Sequence, residues 1–98
     1  MEKLWTWGGN FFGYRTDDLL YTYRGERVGR FDGDVVYDRQ GAYLGEIKNR
    51  RLIAHRSKRS RRGPRAPSVR RGAIARYANY AGYAMHAGYD DFPDPDTF

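Results

Sequence analysis

Apolar and polar positions in the first half of the chain recur with a period of 16 residues. Phe12, Val28 and Leu44 fall in one column, Leu20, Val36 and Leu52 in another, and Tyr21, Tyr37 and Ile53 in a third. Glycine keeps the same interval at Gly9, Gly25 and Gly41, and again at Gly13, Gly29 and Gly45. The three units are GNFFGYRTDDLLYTYR, GERVGRFDGDVVYDRQ and GAYLGEIKNRRLIAHR. Self-similarity at a fixed interval marks a repeat architecture. In each unit apolar, β-branched and aromatic residues flank a polar centre: Thr16-Asp17-Asp18, Asp32-Gly33-Asp34 and Lys48-Asn49-Arg50. That pattern predicts strand, tight turn, strand. Asp32-Gly33 reads as the central pair of such a turn, where both residues reach positive φ. A second set of turns joins the units at Tyr23-Arg24-Gly25 and Arg39-Gln40-Gly41.

Gly13, Gly29 and Gly45 sit inside the first strand of each unit, where an isolated glycine signals a bulge or a close backbone approach. A bulge also accounts for Val28-Gly29-Arg30-Phe31, because one extra residue returns Val28 and Phe31 to the same face. The register extends backwards: Leu4, Trp5 and Thr6 align with Leu20, Tyr21 and Thr22. Residues 3–7 therefore read as the second half of a fourth unit, with Trp5 expected to be substantially buried. The first half has its donor in the C-terminal segment, where Gly82-Tyr83-Ala84-Met85 echoes a unit's start. Strands from both termini would then close the array and hide its edges. The predicted class is all-β, a ring of β-hairpins.

The run GERVGRFDGDVVYDRQGAYLGEIKNRRLI, preceded by Leu4-Trp5 and Gly8-Gly9, resembles the four-fold beta flower proteins. The resemblance covers roughly residues 4–56, with Gly82–Phe92 as a further match. It implies four hairpin petals around a pseudo-fourfold axis. It specifies architecture and says almost nothing of function.

Charge divides the chain into three. Residues 1–47 carry 6 basic and 8 acidic side chains, residues 48–76 carry 12 basic and none acidic, and residues 77–98 carry 4 Asp and no Lys or Arg. Together they give the net charge of +6. The expected organisation is a hairpin repeat domain over 1–56, a disordered basic arm over 57–73, and an Ala/Tyr triplet segment with an acidic tail over 74–98. Residues 56–72, RSKRSRRGPRAPSVRRG, offer only Val69 as a sizeable apolar side chain, too little to offset ordering entropy. Arg56, Lys58, Arg59, Arg61, Arg62, Arg65, Arg70 and Arg71 could meet a polyanion, because cations release counterions from any phosphate backbone. Nucleic acid and anionic lipid are the partners such a region suggests over 48–76, with Arg15, Arg27 and Arg30 as ring alternatives. The competing reading is that Asp90, Asp91, Asp94 and Asp96 fold back and neutralise the arm. Tyr77, Tyr80, Tyr83, His86 and Tyr89 recur every third residue, which suits a 3₁₀ or polyproline-II path. Their rings could stack on bases or dock on the repeat body, and docking is the favoured of the two.

Chemistry is sparse. Cysteine is absent, and His55 and His86 have no neighbouring ligand at metal spacing. Asp17-Asp18 and Asp32/Asp34 fall in turns, where Asp has a sufficient local role. Ser57, Ser60 and Ser68 have no activating elbow, and Gly8-Gly9-Asn10 lacks the ending of a phosphate loop. No cofactor is expected. The function expected is that of a non-catalytic binding or assembly module, with self-association in view because symmetric rings often associate. With no signal peptide and no apolar span, a cytoplasmic location is the default expectation.

Overall fold

A computed structural model describes residues 1–65 and 73–98. Its strands are β1 (Glu2–Thr6), β2 (Phe11–Thr16), β3 (Leu19–Thr22), β4 (Arg27–Asp32), β5 (Val35–Asp38), β6 (Tyr43–Lys48), β7 (Arg51–His55) and β8 (Tyr89–Asp91). Neighbours from β1 to β7 pair antiparallel, and β1 also pairs with β7, so seven strands close into a barrel. The hairpins β2–β3, β4–β5 and β6–β7 are the three petals. Between petals, Leu4 faces Gly13, Leu20 faces Gly29 and Val36 faces Gly45, each followed by a register shift. Those three pairings and their bulges are spaced 16 residues apart. The extra residues are Phe12, Val28 and Leu44, which is how Val28 and Phe31 both reach the core.

Gly13, Gly29 and Gly45 answer a close approach. A Cβ on any of them would collide with the backbone carbonyl of Tyr21, Tyr37 or Ile53 respectively. The inter-petal turns are also alike: Gly9, Gly25 and Gly41 donate to the carbonyls of Thr6, Thr22 and Asp38 at 2.9, 2.9 and 3.0 Å. At the other end of the barrel the two-residue loops are Asp17-Asp18, Gly33-Asp34 and Asn49-Arg50. Asp32 thus lies in β4 opposite Val35, and Gly33 rather than the Asp32-Gly33 pair takes positive φ, at 62°.

Strand parity decides the closure. Seven strands of alternating direction cannot all be antiparallel in a closed ring, so one neighbouring pair must run parallel. That pair is β1–β7, through only Trp5–Arg51 and Thr6–Leu52. The remainder of the same β7 edge is taken by β8, which pairs Ile53 with Asp91, Ala54 with Asp90 and His55 with Tyr89. The fourth quarter is therefore completed differently from the expectation. Gly82-Tyr83-Ala84-Met85 is not a strand, β8 contributes three residues, and β1 meets β7 directly.

The core comprises Leu4, Phe12, Leu20, Val28, Phe31, Val36, Leu52 and Phe92, with Leu44, Ile47 and Phe98 packed against it. Phe92 comes from the tail and meets the Phe12 ring edge-on at 5.3 Å. The tail is thus part of the domain's core.

A second, aromatic layer lies on the other side of the strands. It includes Tyr14 stacked on Tyr21 at 5.0 Å and Trp5 beside Phe11 at 5.1 Å. Tyr77, Tyr80, Tyr83 and His86 of the triplet segment dock there, at 5.2 Å from Phe11, 4.3 Å from Trp5, and 4.8 and 5.3 Å from Trp7 respectively. Trp7 is 2% exposed, and Trp5, expected to be substantially buried, is only partly covered. The arm also departs from expectation over 57–65. Arg56–Lys58 form a 3₁₀ turn, Ala42 bridges Arg62, and Gly63 donates to the Gly41 carbonyl at 2.9 Å. Further on, Ile74 donates to Tyr23, Tyr80 to Gly9 and Tyr83 to Trp7, at 2.8, 2.8 and 3.1 Å. The described parts of the chain after β7 therefore meet the inter-petal turns in reverse order. Backbone bonds and ion pairs hold them there, so apolar content was a poor guide to their order. The rest of the arm, residues 66–72, lies outside the described residues.

Candidate functional site

The one place where the barrel's ladder departs from its antiparallel pattern opens into a cleft of about 470 Å³. Its walls come from three separated segments: Glu2, Lys3 and Trp5 of β1, Asn49-Arg50-Arg51 at the last hairpin, and Tyr80 and Tyr83 of the returning segment. Asn49 and Arg50 both have positive φ, at 52° and 62°, whereas each of the other two hairpin loops has one such residue. A non-glycine residue held there costs roughly 1–2 kcal/mol.

Arg51 is the centre of the site. It is 8% exposed, and its Nη1 donates to the carbonyls of Ala81 at 2.7 Å and Trp7 at 3.4 Å. The guanidinium lies over Tyr83 at 4.0 Å and farther from Tyr80, at 5.5 Å. Arg51 thus ties β7, the end of β1 and the returning segment together across the weakest pairing in the barrel. Trp5 stacks on Tyr80 and donates its indole N–H to Ala78 at 2.9 Å, which sets the opposite wall.

Trp5, Tyr80 and Tyr83 were singled out in the sequence for other reasons, whereas Arg51 was absorbed into a basic run. A signal existed in the repeat columns. Lys3, Leu19, Val35 and Arg51 share one column, and Asp18, Asp34 and Arg50 share the next. In these two columns the cations fall in the copies that meet at the seam, although Glu2 keeps the carboxylate in the second.

Several of the basic residues read from the sequence are paired within the chain. Arg56 and Arg59 both bind Asp90, at 2.8 and 2.6 Å, and Lys58 meets Glu46 at 3.2 Å. Those bonds hold the Asp90 carboxyl below its usual range and raise Arg56 in turn. Arg24 pairs with Asp96 at 2.8 Å. The acidic tail is therefore a partner for the chain's own cations. Arg61, Arg62 and Arg65 remain exposed, and Arg70 and Arg71 lie outside the described residues. On the ring, Arg15 covers the Phe31 face at 4.2 Å, Arg27 bonds the Tyr21 hydroxyl at 3.1 Å, and Arg30 is exposed.

His55 and Ser57 do come together, with Nδ1 to Oγ at 2.8 Å. The same Nδ1 accepts the Ser57 backbone N–H at 3.2 Å, so the ring caps the 3₁₀ turn. Tyr89 packs against the ring at a tilt, with centroids 4.4 Å apart. Among the described residues no group of three or more His, Asp or Glu could hold a metal ion. No helix among them is long and apolar enough to cross a membrane.

A family model described as 4-fold beta flower protein matches residues 2–86. The chain belongs to the 4-fold beta flower family. The match runs beyond the three hairpins, through the basic arm and most of the triplet segment. Strand, arm and docked segment thus fall within one family unit. No curated protein and no solved structure matches the chain.

Proposed function

We propose that this beta flower protein is a non-catalytic binding module whose ligand seat is the cleft at the β1–β7 seam. The observation that carries this reading is the convergence of three chain segments on a concavity at the single parallel pairing of the barrel. Ligand sites favour concave surfaces with a few convergent polar groups among aromatic walls. Here Trp5, Tyr80 and Tyr83 supply the walls, and Lys3, Asn49, Arg50 and Arg51 supply the polar groups. The paired left-handed residues Asn49 and Arg50 add support, since strain persists where surrounding structure holds it and clusters at functional positions. The self-neutralisation of Arg56, Lys58 and Arg59 makes a polyanion-binding arm the weaker reading.

A protein-observed NMR screen with small neutral and charged ring compounds tests the seat. Shifts should concentrate on the Trp5 indole N–H and on the amides of 49–51 and 80–83. A screen whose responses scatter over the barrel, or that yields none, removes this assignment.

A further inference from the structure

We infer that the seam cleft binds a small phosphate-bearing anion, held by Arg51 with Arg50 and Lys3 beside it. The inference rests on the cleft being a ligand seat and names the chemistry of its occupant. Arg51 carries it. A charged side chain that is nine-tenths buried is normally paired with an opposite charge, because removing an ion from water is costly. Arg51 has carbonyls and ring faces for neighbours, and among the described residues no carboxylate forms an ion pair with it.

Donor geometry points the same way. A guanidinium has five N–H donors, and the two protein acceptors of Arg51 are both taken by Nη1. The Nε and Nη2 donors have no acceptor among the described residues. Neither is a fully buried atom without a partner, a condition met there by Thr22 Oγ1 alone. These donors therefore keep an opening, and the opening lined by Arg51 is the cleft. A fork of free guanidinium donors matches two oxygens of a phosphate or carboxylate.

The rest of the lining reinforces the charge. Lys3, Arg50 and Arg51 stand against Glu2 alone, and Asn49 adds an amide donor. In the repeat columns Leu19 and Val35 give way to Lys3 and Arg51 in these copies, and Asp18 and Asp34 give way to Arg50 in one of the two, the other keeping Glu2. A seam that needed only a staple explains Arg51. Lys3 lies along the cleft with its Nζ over the Tyr77 ring at 4.7 Å, but a staple does not explain a cationic Arg50 kept in the left-handed region at 62°. Phosphate is favoured over a monocarboxylate because Lys3, Arg50 and Arg51 all line the one cleft, which suits a group with more than one negative charge.

The probe is pyrophosphate, titrated into the full chain at constant ionic strength so that general screening does not change. Lys3→Gln and Arg50→Gly are the deciding variants. The first side chain is on the cleft edge, and the second position suits glycine, so both folds should persist where Arg51→Met would not. Saturable shifts of the Trp5 indole N–H and of 49–51 are expected, weakened about tenfold in each variant, the effect of one lost charge-assisted contact. An absence of saturation up to about 10 mM pyrophosphate, a concentration at which even weak sites fill, overturns the proposal. So does a response undiminished in both variants, which would show that Lys3 and Arg50 do not hold the anion. If neutral indole moves these resonances while pyrophosphate does not, the anion proposal fails and the ligand seat stands. Silence from both probes removes the two together.

Discussion

Phe92→Ala tests whether the tail completes the barrel or merely rests on it. Phe92 is 3% exposed, meets Phe12 edge-on at 5.3 Å and lies against Gly45, where a Cβ would come within 2.7 Å of its ring. A phenylalanine buries about 150 Å² or more. At about 25 cal/mol per Å², that is roughly 4 kcal/mol of burial. Some is retained by the alanine methyl, while the cavity left behind adds a cost, so about 3–5 kcal/mol is expected. The barrel around Phe92 is tied by backbone ladders and can collapse only partly, which favours the upper half of that range. Against a total stability of about 5–15 kcal/mol for a domain of this kind, the loss should be plain in urea unfolding followed by circular dichroism. The midpoint should fall with little change in slope. Phe98→Ala is the control: Phe98 touches the same Phe12 ring at 5.7 Å but is only half-buried. Its loss should cost about 1 kcal/mol. A Phe92→Ala cost below about 1 kcal/mol, or one equal to that of Phe98→Ala, refutes the assignment of Phe92 to the core.

Gly9→Ala should release the returning segment, because Gly9 has φ +94° and a Cβ there would strike the Tyr80 carbonyl. The check is a red shift of Trp7 fluorescence with faster proteolysis over 73–86, and an unchanged spectrum would contradict the docking. Asp90 is held low first by its hydrogen bond from Arg56, then by that from Arg59. Its contribution is present above the unfolded carboxylate value of about 4 and is lost as pH falls through the lowered folded one. Asp90→Asn should therefore flatten the acid limb of stability against pH, with little effect on the alkaline side. Burial, followed by the charge of Glu46, pushes Tyr43 up to about 12, although the His55 N–H bond opposes the rise. Its stability contribution is full below the unfolded value of about 10 and fades as pH climbs through the folded one. Tyr43→Phe should remove that alkaline loss in a pH-jump unfolding series, and an identical limb in both proteins would count against it.

The hairpins were legible because the information is local. Apolar alternation, turn residues and a recurring glycine each act within a few residues, and a fixed interval repeats the message until chance is excluded. Gly13, Gly29 and Gly45 announced close approach on the strength of position alone, and Tyr21, Tyr37 and Ile53 supply the carbonyls that make it necessary. The half-unit at Leu4-Trp5-Thr6 was readable for the same reason, and in the fold its Leu4 pairs with Gly13 as Leu20 pairs with Gly29.

What fills the fourth quarter was settled only by tertiary structure. Parity forces one parallel pair, and which residues cover the rest of the β7 edge depends on chain returning from more than thirty positions away. The path of residues 56–65 and 73–86 rests on bonds from backbone N–H groups to carbonyls such as those of Gly41, Tyr23 and Gly9. Every residue type carries such groups, so they leave no mark in the side-chain pattern. The cleft is of the same kind. Arg51 reads as one cation in a basic run until the closing of the barrel sets it beside Trp5 and under Tyr83, where burial turns an ordinary charge into an uncompensated one.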